Sequence, residues 1–231
     1  MFNRFSVRVG EWDQSTEKDC VMPEMTNCAP PVQNIRVESY KVHEMYNDAL
    51  SVNDIMVIKL EHKVKYARNI KTICLPTNEN EILSKTIDLQ KLTISGWGKT
   101  EHKKISNILL YADIPYLPLE KCKETMIEDG IETILYESHI CAGGHNLTDS
   151  CQGKLSIIIK QLIIYLNYLT GDSGGPLFGG INKLNENGVL KTKSFQFGIV
   201  SVGVGCRNQG VSPGVYTNVA YYMNWILDQM D

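Results

Sequence analysis

Apolar and polar residues alternate with a period of two in short bursts along most of this chain. Residues 6–10 (SVRVG) put Val7 and Val9 on one face, the pattern of a strand with one side buried. Residues 34–43 (NIRVESYKVH) alternate through Ile35 and Val37 and then change phase, which predicts a bulged strand. Strand signals continue in IMVIKL (55–60), LTISGWG (92–98), ILLYADIPYL (108–117), ICAGG (140–144) and FQFGIVSVG (195–203), separated by Gly, Asn and Pro turn residues. A switch to helical spacing occurs twice. LEKCKETMIEDG, from Leu119, predicts a short helix ending at Gly130, and NVAYYMNWILDQM, from Asn218, sets Val219, Tyr222, Trp225 and Ile226 on one stripe. That stripe reads as a docking face. So many short strands suggest an all-β fold built from barrels or a sandwich. There is no internal repeat, and the polar stretch 76–91 after Cys74 divides the chain into 1–75 and 76–231.

Composition narrows the class. A chain of 231 residues with 43% hydrophobic side chains can bury a real core. With 21% charged residues and a net charge of −3, it shows neither a basic stripe for nucleic acid nor a solvating acidic tail. The only long apolar run, 155–169, is too short for a transmembrane helix and carries Lys160 and Gln161 at its centre. No nucleic-acid or membrane partner is expected.

Seven cysteines are scattered without a CxxC pair, which disfavours zinc and suits a disulfide-bonded extracellular protein. The odd number leaves one partner missing. The first residues, MFNRFSVRVGEW, lack the apolar core of a signal peptide. The expectation is a secreted protein whose start lies upstream of this chain.

The chemistry-bearing signal is GDSGGP, residues 171–176. A nucleophilic serine needs a tight turn that exposes its hydroxyl and aims backbone N–H groups at a developing oxyanion, and flanking glycines permit that approach. A plain glycine turn is the simpler alternative for such a motif standing alone. It does not stand alone: NDIMVIKL, SGWGKT, ICAGG, DSC, GIVSVGVGC and SPGVYTNV occur around it in a consistent order. Together these motifs resemble the trypsin-like serine endopeptidases. The paired cysteines of EKDCVMPEMTNCAPP look more narrowly like the clip-domain proteases of arthropods.

The resemblance implies two six-stranded antiparallel β-barrels with the active site between them, a C-terminal helix, and here an incomplete first barrel. It implies Asp54 as the carboxylate that orients a catalytic histidine and Ser173 as the nucleophile. Gly153 or Gly171, with Ser173, would supply the oxyanion N–H groups, and Asp172 the acid that pairs with a freed N-terminus in zymogen activation. Asp149 would form the base of the specificity pocket, Gly203 and Gly214 its walls, and Ser201 the start of the substrate-pairing strand. Because an unpaired buried carboxylate is costly, Asp149 would favour Arg or Lys. The implied disulfides are Cys20–Cys28, Cys122–Cys141 and Cys151–Cys206, with Cys74 bridging to an absent N-terminal segment. Protein substrates and serpin-type inhibitors are the implied partners, and no cofactor is needed.

The chain departs from the family pattern in three ways. Of His43, His62, His102, His139 and His145, only His43 precedes Asp54, and it sits in a surface-strand motif. Ser173 therefore lacks its general base, and the chain as written is expected to be inactive. There is no activation motif, so Asp172 has no ammonium partner and the first barrel exposes strand edges. Residues 154–171 interrupt the serine loop, separating DSCQG from DSGGP. They are rich in Ile, Leu, Lys, Asn and Tyr, residues favoured by AT-rich codons, and a short in-frame retained intron is the preferred reading. A genuine hairpin, SIII-KQ-LIIY, is the rival. Two smaller signals remain. Asn146 begins an NLT glycosylation sequon. The acidic loop holding Glu11, Asp13, Glu17 and Asp19 is a solvated loop or, as in some relatives, a calcium site.

Overall fold

The computed structural model describes residues 5–20, 27–77, 91–98, 105–131, 134–144, 174–184, 190–202 and 212–230. Three strands, β1 (Ser6–Val9), β2 (Gln33–Val42) and β3 (Met56–Leu60), form an antiparallel sheet in that order. The phase change foreseen in β2 is a register shift between Val37 and Ser39. The remaining strands are β4 (Lys91–Gly96), β5 (Leu110–Leu117), β6 (His139–Gly143), β7 (Pro176–Leu184), β8 (Leu190–Val202) and β9 (Pro213–Asn218). They close a barrel in the order β4-β5-β6-β9-β8-β7. The fold is thus all-β, with one complete barrel and one partial sheet.

Helix α1 (Leu119–Glu128) is pinned to β6 by the Cys122–Cys141 disulfide and buries Met126 beneath it. Gly130 ends it with a φ of 71°, where only glycine is unstrained, and the Ile131 N–H closes on the Met126 carbonyl at 2.8 Å. Helix α2 (Met223–Asp228) starts later than its apolar stripe predicts. The Asn218 carboxamide oxygen accepts the Ala220 N–H at 3.1 Å, a side-chain turn that delays the helix.

Each sheet has its own core. Leu92, Ile114, Leu177, Phe197 and Tyr216 fill the barrel, whereas Val7, Val9, Met56, Ile58 and Leu60 line the three-stranded sheet. A third cluster joins them: Ile55 and Val57 beside β3 and on it meet Ile199 of β8 and Val219, Tyr222, Met223 and Ile226 at the C-terminal end. Cys74 secures the crossing segment, donating its N–H to Ser194 and accepting that of Gln196. The predicted apolar stripe therefore docks at the joint between the two sheets, with Val219 and Tyr222 before α2 and Ile226 on it.

Candidate active site

The turn before β3 sets up the site. Asp48–Leu50 form a 3-10 turn capped by Asn47, whose side chain accepts the Leu50 N–H at 3.2 Å. Ser51 and Asn53 both adopt the left-handed region, with φ of 51° and 56°. Asparagine tolerates that conformation when its side chain bonds locally. Asn53 donates to the Met45 carbonyl at 2.8 Å and accepts the Tyr222 hydroxyl at 2.9 Å. The wound backbone turns Asp54 inward, where it is only 6% exposed.

Three groups define the surroundings of Asp54. The Ser201 hydroxyl donates to Oδ2 at 2.6 Å. The Thr217 hydroxyl donates to the Asp54 backbone carbonyl at 2.8 Å. Oδ1 is buried and has no hydrogen-bond partner among the described residues. Burial raises the Asp54 pKa to about 6, Asp48 adds to the rise, and the Ser201 hydrogen bond opposes it. Ser201 reaches Asp54 because β8 shifts register between Val200 and Val202, and such a bulge re-aims side chains.

The backbone that leaves Ser173 comes to the same place. Gly174, with a φ of 82°, donates its N–H to Val200 at 2.8 Å, and the Val200 N–H returns to Gly175 at 2.9 Å. The GGP half of the serine motif is thereby zipped to β8 one residue from Ser201. Gly214 is buried on β9 opposite Ala142. Ser173, Asp172, Gly171, Gly153, Asp149, Cys151, Gly203, Cys206 and Asn146 lie outside the described residues.

No histidine among the described residues meets Asp54 Oδ1. The His43 ring packs on Trp225 and Tyr222, with centroids 4.9 and 5.5 Å away, and its Nδ1 accepts the Met45 N–H. Burial lowers its pKa, with Glu44 opposing. His139 is engaged with Ser51 and Tyr136, and His62 lies exposed beyond β3. Asn53, Thr217 and Tyr222 were not expected to hold the site. Asn53 and Thr217 stand inside NDIMVIKL and SPGVYTNV, so their motifs were visible although their hydrogen bonds were not.

The acidic loop uses its carboxylates internally. Asp19 accepts the N–H groups of Trp12 and Asp13, Asp13 accepts from Ser15, and Glu11 pairs with Arg8. Among the described residues no three His, Cys, Asp or Glu side chains converge to hold a metal ion. Cys20 is bonded to Cys28, and Cys74 is bonded to no other described cysteine.

The trypsin family model matches residues 15–154 and 167–226. The chain belongs to the trypsin family of serine proteases. The match passes over 155–166, inside the run that interrupts the serine loop. This trypsin-family chain is 35% identical over 227 residues to Serine protease grass of Drosophila melanogaster, covering 98% of itself and 53% of that protein. It is 34% identical over 228 residues to the CLIP domain-containing serine protease HP8 of Bombyx mori, covering 97% and 53%. The crystal structure of the Drosophila Grass clip serine protease of the Toll pathway superposes with a TM-score of 0.74 at 35% identity, over 98% of this chain and 56% of that one. The chain spans about half the length of the curated relatives it matches. No described helix is long and apolar enough to cross a membrane.

Proposed function

We propose that this chain is the protease portion of a secreted endopeptidase that cleaves proteins after Arg or Lys, and that it is inactive as it stands. The observation that carries this is the half-satisfied carboxylate of Asp54. One oxygen takes the Ser201 hydroxyl, while the other is buried without a partner among the described residues, in a family whose chemistry needs an imidazole N–H beside such an oxygen. An imidazole there would donate one N–H to Asp54 Oδ1 and take the Ser173 proton on its other nitrogen. Ser173 would then attack the scissile carbonyl. The N–H groups of Ser173 and of Gly153 or Gly171 would stabilise the tetrahedral oxyanion, and water would hydrolyse the acyl-enzyme. Asp149, with Gly203 and Gly214 as walls, would select the basic side chain. Asp172 would anchor a freed N-terminus.

The interruption at 154–171 falls between Gly153 and Asp172, where the oxyanion donors must be held within a fraction of an ångström. A retained intron is the origin we favour. Cys151–Cys206 and a bridge from Cys74 to an upstream segment complete the disulfide scheme, and Asn146 is a candidate glycosylation site. Relatives named Phenoloxidase-activating factor 1 and Spaetzle-processing enzyme are named for acting on another protein. A protein precursor is the substrate class that fits, with serpin-type inhibitors as controlling partners. The division at 76 marks the change from the partial first barrel to the second.

The prior commitment of His43 and His139 to other partners favours one second reading, a non-catalytic homologue that binds other proteins. The two readings separate on a repaired version, in which residues 154–171 are deleted and the strands that precede the aspartate are supplied from Serine protease grass. That version should hydrolyse Arg and Lys amide substrates, and Asp149→Ser should cut that preference at least about 100-fold. Arg and Lys preference that survives Asp149→Ser would sink the specificity assignment.

A further inference from the structure

The first residue of β6 is a histidine, yet its strand faces the core and His139 is only 5% exposed. Its ring nitrogens have different partners. Nδ1 lies 3.1 Å from the Tyr136 N–H, and Nε2 lies 2.9 Å from the Ser51 carbonyl oxygen. An amide N–H only donates, so Nδ1 must be bare, and a carbonyl only accepts, so Nε2 must carry the proton. One neutral tautomer satisfies both.

Ser51 opens the left-handed pair that winds the chain into Asp54. The register partner of His139 across the strand pair is Thr217, and Thr217 is the residue that holds the Asp54 carbonyl. One β6–β9 pair therefore sends two tethers to the same turn, one to each end. We propose that His139 is a positioning residue: it latches the 51–54 turn to the barrel and sets how deeply the Asp54 carboxylate is buried.

The proposal rests on the reading of Asp54 as the orienting carboxylate. Its consequence is visible without catalysis. The groups that bear on Asp54 are Asp48 in the turn, Ser201 on β8 and Tyr222 at the start of α2. The side-chain hydrogen bonds of His139 go to Tyr136 and Ser51, while Tyr222 bonds Ser138 beside it; two His139 substitutions that both leave Ser138 in place therefore isolate the route through the turn.

The test is the titration of Asp54 in the intact chain, followed by NMR of carboxyl-labelled aspartate and assigned with Asp54→Asn. Two substitutions divide the imidazole's bonds. His139→Gln puts an amide N–H where Nε2 stands and keeps the donor to Ser51. His139→Asn puts a carboxamide oxygen where Nδ1 stands, keeping the Tyr136 bond and losing the latch. In the unaltered chain Asp54 titrates near pH 6. His139→Gln should leave that titration in place, and His139→Asn should lower it by about one unit or more as the turn loosens and water reaches the carboxylate. An unchanged titration in His139→Asn, even with reduced stability, overturns the latch. If His139→Asn does not fold, the imidazole nitrogen spectrum of the unaltered chain decides: an Nε2–H tautomer upholds the proposal and an Nδ1–H tautomer overturns it. If the carboxyl group removed by Asp54→Asn titrates at or below the ordinary aspartate value, the reading of Asp54 as a buried carboxylate fails, whatever His139 does.

Discussion

At Asp54, burial and charge are in conflict. Its carboxylate is held near pKa 6, against 3.8 for an ordinary aspartate. On raising the pH, the unfolded chain loses this proton first, so the folded state loses relative stability between about pH 4 and 6 and levels off above. A displacement of about two units corresponds to about 3 kcal/mol. Denaturant midpoints measured across that window should fall in the native chain, and Asp54→Asn should flatten the fall. An identical slope in the variant would mean that another group is responsible. Ser201→Ala tests the same carboxylate from its other oxygen. Removing the hydroxyl withdraws the only hydrogen bond that the described residues give the carboxylate, so the variant should lose about 1–3 kcal/mol at pH 7.5 and less at pH 4, where Asp54 is neutral. An equal loss at both pH values would show that Ser201 acts only through packing.

Among the elements, those with a clean period were legible. β1 and β4 follow their alternation, β3 is the apolar run of 55–60, the phase change in residues 34–43 became the bulge of β2, and α1 ends at the glycine expected to end it. β7 and β9 were missed because neither alternates. β7 begins at Pro176 and contains Gly179 and Gly180, and every residue of β9 from Pro213 to Thr217 is buried, so no polar face marks it. The start of α2 was misplaced because a local side-chain turn at Asn218 outcompetes helical spacing. Two substitutions probe α1. Gly130→Ala should cost about 1 kcal/mol, since its positive φ is strained for alanine while a Cβ meets no atom there. Replacing both Cys122 and Cys141 with serine should cost about 2–5 kcal/mol. Thermal denaturation reads both, and a neutral Gly130→Ala would show that the helix end is free to rearrange.

In the molecule as a whole, the site lies where the partial sheet meets the barrel. Motifs pointed to Asp54 and Ser201, and the fold brings that pair together, because such chemistry demands particular residues in particular short contexts; Ser173, Asp149 and Gly203 lie outside the described residues. The supports were not legible. Tyr222 reaches Asn53 across 169 residues and Ser201 reaches Asp54 across 147, and no local pattern records such pairings. At this joint Asp54, just before β3, and the backbone after Ser173 both meet β8, whereas no described histidine reaches Asp54 Oδ1, which is why the chain is proposed to be inactive.

The most direct measurement compares kcat/KM on an Arg amide substrate for two proteins: the 231-residue chain, and the version lacking 154–171 with the strands before the aspartate supplied from Serine protease grass. The first should show no turnover above background, and the second should show turnover that Ser173→Ala abolishes. Hydrolysis by the unaltered chain, or an inert repaired enzyme that folds correctly, would contradict the proposed function.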